Sequence, residues 1–143
     1  MSLLERAFEL ARSRRARVVL PEMGDARVAE AAARLRTEGI AEPLTLDAAG
    51  SAESYVKFVL QARPGLKPAL ALRMLEKPLI RAAAMVAAGE ADAMVAGAVA
   101  PTRRVIEAAQ LTVGMAPGVA YPSSFFLMLL PDGRALIFAD CAL

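Results

Sequence analysis

The sequence contains no histidine and only one cysteine, Cys141, among its 143 residues. Without histidine, the chain cannot form a Ser-His-Asp or Cys-His catalytic group or hold a metal through imidazole. A single cysteine excludes an internal disulfide and is typical of a reducing compartment. Because no histidine can act as a base beside its thiol, Cys141 is expected to be buried and unreactive. We therefore expect neither a metal site nor a cysteine nucleophile.

The sequence also lacks long apolar runs and a strong excess of charge. No apolar run approaches the about 20 residues that a membrane span needs, and the net charge is +2. Residues 1–15 have acidic residues within their apolar pattern, which favours an amphipathic helix over a signal peptide. The basic residues cluster only at 12–17, where a helix end favours cations. Neither a membrane nor a nucleic acid is therefore expected as a partner.

Helical and strand patterns alternate along most of the chain. Hydrophobic residues make up 57% and charged residues 22%, as in a folded domain of ordinary size. Short apolar runs lie at 18–20, 40–46 and 91–99, and helical patterns lie at 3–14, 23–39, 51–63, 76–90 and 100–111. This alternation predicts a three-layer α/β/α sandwich with a mainly parallel sheet and buried strands. Residues 17–46 should form a β-α-β unit with a right-handed crossover.

The C-terminal segment "SSFFLMLLPDGRALIFADCAL" has the pattern of a β-hairpin. Two apolar runs, 125–130 and 135–139, flank Pro131-Asp132-Gly133, and Asp-Gly between such runs is a strong hairpin signal. No linker or boundary precedes about Gly114. We therefore predict an N-terminal α/β domain over residues 1–113, and the start of a second domain over residues 114–143.

Ligands of parallel α/β sheets bind beyond the carboxyl ends of the strands, and two segments lie there. In "PEMGDAR" (21–27), Asp25 as a helix cap and Gly24 as a turn residue are favoured over an anion site. In "AGAVAPTRR" (96–104), Arg103 and Arg104 oppose the dipole of the helix that they begin. Two interpretations stay open for them: an anion site, or ion pairs with carboxylates such as Glu107.

Three longer segments, taken together, are more informative about function than these two loops. "RVVLPEMGDARVAEAA", "AAGEADAMVAGAVAPTRRVIEAAQLTVGMAPG" and "SSFFLMLLPDGRALIFADCA" occur in this order. They resemble the N-terminal half of the phosphate acetyl/butyryl transferase family, phosphotransacetylase in particular. The resemblance covers nearly the whole chain.

The resemblance implies a cytoplasmic enzyme that moves an acetyl group between acetyl phosphate and coenzyme A, with CoA as a substrate and no other cofactor. It implies an isocitrate/isopropylmalate-dehydrogenase-like fold of two α/β domains, a homodimer, and a site in the cleft between the domains. A carboxylate base would take the proton of the CoA thiol, while arginines and hydroxyls would hold the phosphate.

Carried over residue by residue, the resemblance implies CoA binding by Arg63, whose local pattern alone favours a helix-end cation. It places Thr102 among the hydroxyls that face the acyl phosphate, beside Arg103 and Arg104. Glu107 stands where the family has a substrate arginine, and Arg104, one helical turn earlier, could fill that role. No catalytic residue is assigned in this chain, because the family's catalytic aspartate belongs to its other half.

Two functions from different classes follow. The first is a truncated acyltransferase that is inactive alone. The second is a non-catalytic module derived from that family, which binds CoA or phosphate esters or only self-associates. A half-sheet should expose strand edges and apolar surface, which favours oligomers. A dinucleotide-dependent dehydrogenase is a weaker third possibility, because the sequence has no cofactor fingerprint.

Overall fold

A computed structural model describes residues 2–141. They form two compact units, Ala11–Gly114 and the combination of residues 2–10 with 115–141. The predicted division into domains at residues 113 and 114 stays a prediction. The helices are α1 (Leu3–Arg14), α2 (Ala26–Thr37), α3 (Ala52–Ala62), α4 (Pro68–Leu75), α5 (Pro78–Ala87) and α6 (Thr102–Thr112). The strands are β1 (Arg17–Val19), β2 (Glu42–Leu44), β3 (Ala93–Met94), β4 (Phe125–Leu129) and β5 (Ala135–Ala139).

The larger unit contains a parallel sheet with strand order β2-β1-β3. Val18 of β1 lies opposite Pro43 of β2 on one side and opposite Ala93 of β3 on the other. All three strands run in the same direction, so the predicted α/β fold with a mainly parallel sheet is confirmed.

The order of the strands defines a switch point in the sheet. The chain passes from β1 to β2 on one side, and then crosses to the opposite side of β1 to form β3. β2 and β3 therefore lie on opposite sides of β1, and the connection that follows β1 leads away from β3. In open parallel sheets, the crevice at the carboxyl ends of two such strands is where ligands bind.

The hydrophobic core of this unit lies mainly among its helices. Its largest fully buried side chains are Tyr55, Leu75, Met85, Val19 and Val59. Helix α5 contributes a run of buried alanines, Ala82–Ala84, whose small side chains allow neighbouring elements to approach closely. The core thus joins α3, α4 and α5 to β1.

A polar network anchors the segment between β2 and α3 to this core. The hydroxyl of Tyr55 donates a hydrogen bond to the Glu90 carboxylate and accepts one from the N–H of Gly50. Arg81 donates to the carbonyl of Gly50 at 3.0 Å. Burial and the adjacent Glu90 carboxylate raise the pKa of Tyr55 to about 12, so the phenol stays protonated at neutral pH.

The predicted cap of α2 is confirmed, and the starts of α3 and α5 also have residues that favour a helix N-terminus. Asp25 caps α2 by accepting a hydrogen bond from the N–H of Arg27, and Ser51 caps α3 by accepting one from the N–H of Ser54. Pro78 lies in the first turn of α5, where its missing N–H costs little. A short 3₁₀ turn, Leu46–Ala48, was not predicted.

Two predictions of burial are wrong. β3 was expected to be a buried strand, but it is two residues long and Ala93 is exposed, because β3 pairs with β1 alone at one end of the described sheet. Cys141 was expected to be buried, but it is exposed beyond the end of β5. Its Sγ donates to the carbonyl of Ala139 at 3.2 Å.

The predicted hairpin is confirmed within the smaller unit. β4 and β5 are antiparallel, with Phe125 opposite Ala139 and Leu129 opposite Ala135. Gly133 adopts φ +85° in the turn, a conformation that favours glycine. All ten strand residues are apolar, and all are exposed within the described chain. Among residues 2–141, no helix is long and apolar enough to cross a membrane.

Leu75 tests whether the helical core carries the stability of the larger unit. Leu75→Ala should lower the free energy of unfolding by about 2–5 kcal/mol, because it leaves a cavity at a fully buried site. Leu70→Ala is a matched control in the same helix, since Leu70 is 45% exposed. Urea denaturation measures both variants. Equal losses from the two substitutions would contradict this assignment of the core.

Candidate functional site

An open cavity of about 970 Å³ lies at the switch point of the sheet. Its wall is formed by the loop after β1, the end of α3, the junction of α4 and α5, the loop after β3, and α6. Apolar side chains cover much of this wall, among them Met74, Leu79, Ile80 and Leu111. The cavity therefore lies where the order of the strands leads us to expect a ligand site.

Glu22, in the loop after β1, joins the two loops that border the cavity. Its Oε2 accepts hydrogen bonds from the N–H groups of Gly97 at 2.8 Å and Ala98 at 2.9 Å. Its Oε1 accepts from the N–H groups of Val99 at 3.1 Å and Ala100 at 2.7 Å. One carboxylate thus binds four consecutive backbone amides about 75 residues away in sequence.

The electrostatics of Glu22 follow from these contacts. Partial burial by itself would raise the pKa of its carboxyl group, but the four backbone N–H groups oppose this effect, and the net pKa is lowered. Hydrogen bonds from N–H groups stabilise the ionised form specifically. Glu22 is therefore a carboxylate at neutral pH, and its charge is already matched by N–H dipoles.

Arg27 holds the same loop through a carbonyl group. Its guanidinium donates to Ala98 O at 2.9 Å and to Asp25 Oδ2 at 2.8 Å. The hydrogen bonds from the side chain and N–H of Arg27 lower the pKa of Asp25 to about 2. The polar side chains of "PEMGDAR" thus hold the loop after β3 and cap α2, which agrees with the predicted capping role of Asp25.

Gly97 allows the amides to converge on Glu22. Its φ of +113° lies in a region that L side chains rarely adopt. With this backbone conformation, the N–H groups of 97–100 point toward the same carboxylate. A side chain at this position would strain the loop even though space is available around it.

The arginines at the start of α6 are paired within the helix. Arg103 Nε lies 2.9 Å from Glu107 Oε1, and Arg104 Nη1 lies 3.3 Å from Glu107 Oε2. Of the two interpretations left open above, this geometry shows the ion pairs. Arg104 and Glu107 line the cavity, whereas Thr102 and Arg103 are exposed and, in the part of the chain described, do not line it.

Arg63 and Lys77 supply positive charge that the described chain does not pair. Arg63 terminates α3 and Lys77 precedes α5, and both line the cavity. Within residues 2–141, neither side chain has an ion pair or hydrogen bond, whereas the cavity carboxylates of Glu22, Asp25 and Glu107 all do. The cavity therefore has two available cations and suits an anionic ligand with apolar parts.

Comparison with known proteins decides the family. The family model described as phosphate acetyl/butaryl transferase matches residues 45–143. The chain belongs to this family. The resemblance seen in the sequence is therefore confirmed.

Curated relatives agree with this assignment. The chain is 36% identical to a phosphate acetyltransferase from Paracoccus denitrificans, over 100% of the chain and 51% of that protein. It is 32% identical to a phosphate acetyltransferase from Acetivibrio thermocellus, over 100% of the chain and 52% of that protein. The chain thus spans about half the length of these curated relatives.

Solved structures show the same fold. A phosphotransacetylase from Streptococcus pyogenes superposes with a TM-score of 0.84 at 25% identity, over 100% of this chain and 53% of that one. The EutD phosphotransacetylase from Staphylococcus aureus gives a TM-score of 0.82 at 23% identity, over 99% of this chain and 50% of that one. Both comparisons support the α/β fold of this family member.

The sequence did not identify three residues of the site: Glu22, Arg27 and Lys77. The local signal for Glu22 is a carboxylate in the loop that follows a strand, at a place where ligands bind, but its partners lie about 75 residues away. Lys77 precedes Pro78, and only the folded junction of α4 and α5 places it in the same cavity wall as Arg63.

Gly97 provides a direct test of the loop geometry. Gly97→Ala should lower the free energy of unfolding by about 1–3 kcal/mol, because an L side chain is strained at φ +113°. Gly24→Ala is the control: it also borders the cavity, has no atom within 4 Å of an added Cβ, and has no positive φ. It should change stability by less than about 0.5 kcal/mol. Thermal denaturation measures both variants. Equal losses of stability in Gly97→Ala and Gly24→Ala would contradict the described loop geometry.

Proposed function

We propose that the protein is a phosphate acyltransferase that transfers an acetyl group between acetyl phosphate and coenzyme A. The observation that carries this proposal is the pair of unpaired cations, Arg63 and Lys77, in an apolar cavity at the switch point of the sheet. Membership of the family gives the chemistry, and the cavity gives a place in this chain where a phosphate-bearing substrate would bind.

The cavity matches the mixed chemistry of CoA. At about 970 Å³ it is large enough for a sizeable part of such a ligand. Arg63 and Lys77 would bind phosphate groups, with Arg63 suited to bidentate contacts. The apolar wall around Leu79 and Leu111 would contact the less polar parts of the ligand. An acyl phosphate would require the same anion recognition over a smaller area.

In the proposed reaction, the CoA sulfur attacks the acyl carbonyl of acetyl phosphate. A carbon–sulfur bond forms, the bond between the acyl carbon and the phosphate oxygen breaks, and inorganic phosphate leaves. A carboxylate base accepts the proton of the thiol. Glu22, Asp25 and Glu107 already accept hydrogen bonds from N–H groups or arginines, and their pKa values are lowered. We therefore propose that this cavity binds substrate and that the base comes from elsewhere in the protein.

The start of α6 is proposed to contact the acyl phosphate. Thr102 could donate its hydroxyl to a phosphate oxygen, as the family resemblance implies. Arg104 lines the cavity but is held by Glu107. To bind phosphate, Arg104 would exchange an exposed ion pair for a charged ligand, and exposed ion pairs contribute little to stability. Arg103 is less suited to bind the acyl phosphate, because its side chain is 87% exposed.

The proposal also covers the layering of the fold, the oligomeric state and the cellular location. We propose a three-layer α/β/α arrangement related to isocitrate and isopropylmalate dehydrogenases, a homo-oligomeric protein and a cytoplasmic location. The β2-β1-β3 order supports the layered arrangement, since right-handed crossovers on both sides of β1 place α2 and α5 on opposite faces. The exposed apolar strands β4 and β5 support burial against further protein.

Calorimetry with CoA tests the proposed anion site. The 143-residue chain should bind CoA, and Arg63→Ala should weaken binding by about tenfold or more, because a hydrogen bond to a charged group contributes about 1.5–3 kcal/mol. Arg73→Ala is a matched control, since Arg73 is an exposed arginine in the last turn of α4 outside the cavity wall. Equal affinities for the two variants would remove Arg63 from the site.

A turnover assay tests whether this chain contains the catalytic base. CoA-dependent consumption of acetyl phosphate by the purified 143-residue chain should be small or absent, because its cavity carboxylates are engaged. Binding of CoA without turnover is expected. Turnover at the rate of an ordinary enzyme would show that a base lies within this chain. Absence of both CoA binding and turnover would leave a module that only self-associates.

A further inference from the structure

We infer that Glu22 is a positioning residue for this cavity: its carboxylate occupies the backbone amides of residues 97–100 and thereby fixes that loop as part of the cavity wall. The effect of Glu22 on substrate binding rests on the proposed function. Its hold on the loop rests only on contacts within the larger unit.

The four amides form a site that would bind an anion. Successive backbone N–H groups converging on one point make a concave site that favours negative charge. Here the two oxygens of Glu22 fill it, with two N–H donors for each oxygen at 2.7–3.1 Å. The chain therefore supplies the anion for these amides from its own side chain.

Filling this site has a consequence for the loop itself. Gly97 through Val99 are exposed along the border of the cavity. β3, which leads into this loop, pairs with β1 over only two residues. The sheet alone therefore fixes the loop weakly. The carboxylate and the bond from Arg27 to Ala98 O hold it on its N–H and C=O sides, respectively.

Filling this site also has a consequence for the ligand. Because the amides of 97–100 are occupied, they are not available to a substrate phosphate. Recognition of the anion then falls to the side chains of Arg63 and Lys77 across the cavity. Val99 and Ala100, which line the cavity, contribute shape rather than hydrogen bonds. Glu22 thus acts on the substrate through the loop and has no substrate contact of its own in this scheme.

Glu22→Ala tests the inference by hydrogen exchange of the loop. Amides 97–100 should exchange at least about tenfold faster in this variant, because four bonds to a charged acceptor are lost together. Amides within α3 and α5 should keep their protection. Glu30→Ala is the control, since Glu30 is an exposed glutamate in α2. Unchanged exchange at 97–100 in Glu22→Ala would overturn the inference.

Added formate provides a readout that a general loss of stability would not produce. In Glu22→Ala the vacated amides should bind formate, so tens of millimolar formate should restore the protection of 97–100. Formate should have no such effect on wild type or on Glu30→Ala. If formate does not restore protection, the amides do not form the anion site described, and the inference is wrong.

CoA affinity then links the loop to the substrate. Glu22→Ala should bind CoA about tenfold more weakly, and formate should restore the affinity; Arg63→Ala should not respond to formate. Faster exchange with unchanged CoA affinity would overturn the positioning role. If wild type does not bind CoA at all, the proposed function fails, and the exchange and formate results still decide whether Glu22 holds the loop.

Discussion

The bond between the Glu22 carboxylate and the amides of residues 97–100 is the contact on which the cavity depends. β1 and β3 are adjacent parallel strands, but only two residues of β3 pair with β1. Beyond them, the turn at Gly97 directs several N–H groups to one point, where they can share one acceptor. Glu22 is that acceptor, so the two loops at the switch point of the sheet are held together by a side chain.

This contact also determines the charge of the cavity. Glu22 is neutralised locally by N–H dipoles, Asp25 by Arg27, and Glu107 by two arginines of its own helix. The remaining cations of the cavity wall are Arg63, at the end of α3, and Lys77, between α4 and α5. A cavity with apolar walls and two cations that have no partner among residues 2–141 suits ligands that carry phosphate groups.

Sequence patterns predicted the features that depend on residues close together in the chain. The cap at Asp25, the hairpin turn at Gly133 and the parallel α/β order could all be predicted, because each follows from neighbouring residues or from repeating periodicity. The contact of Glu22 could not, since its partners are about 75 residues away and are backbone atoms that no residue type marks. The exposure of β3 was missed for a related reason: an apolar run does not reveal how many strands will cover it.

A structure of the chain bound to CoA tests most directly whether Arg63 and Lys77 bind the phosphate groups while Glu22 holds the loop. Phosphate groups of CoA should lie within hydrogen-bond distance of Arg63 and Lys77, while Glu22 stays on the amides of 97–100. A complex in which phosphate occupies those amides and Glu22 is displaced would contradict the claim, and so would CoA bound outside this cavity.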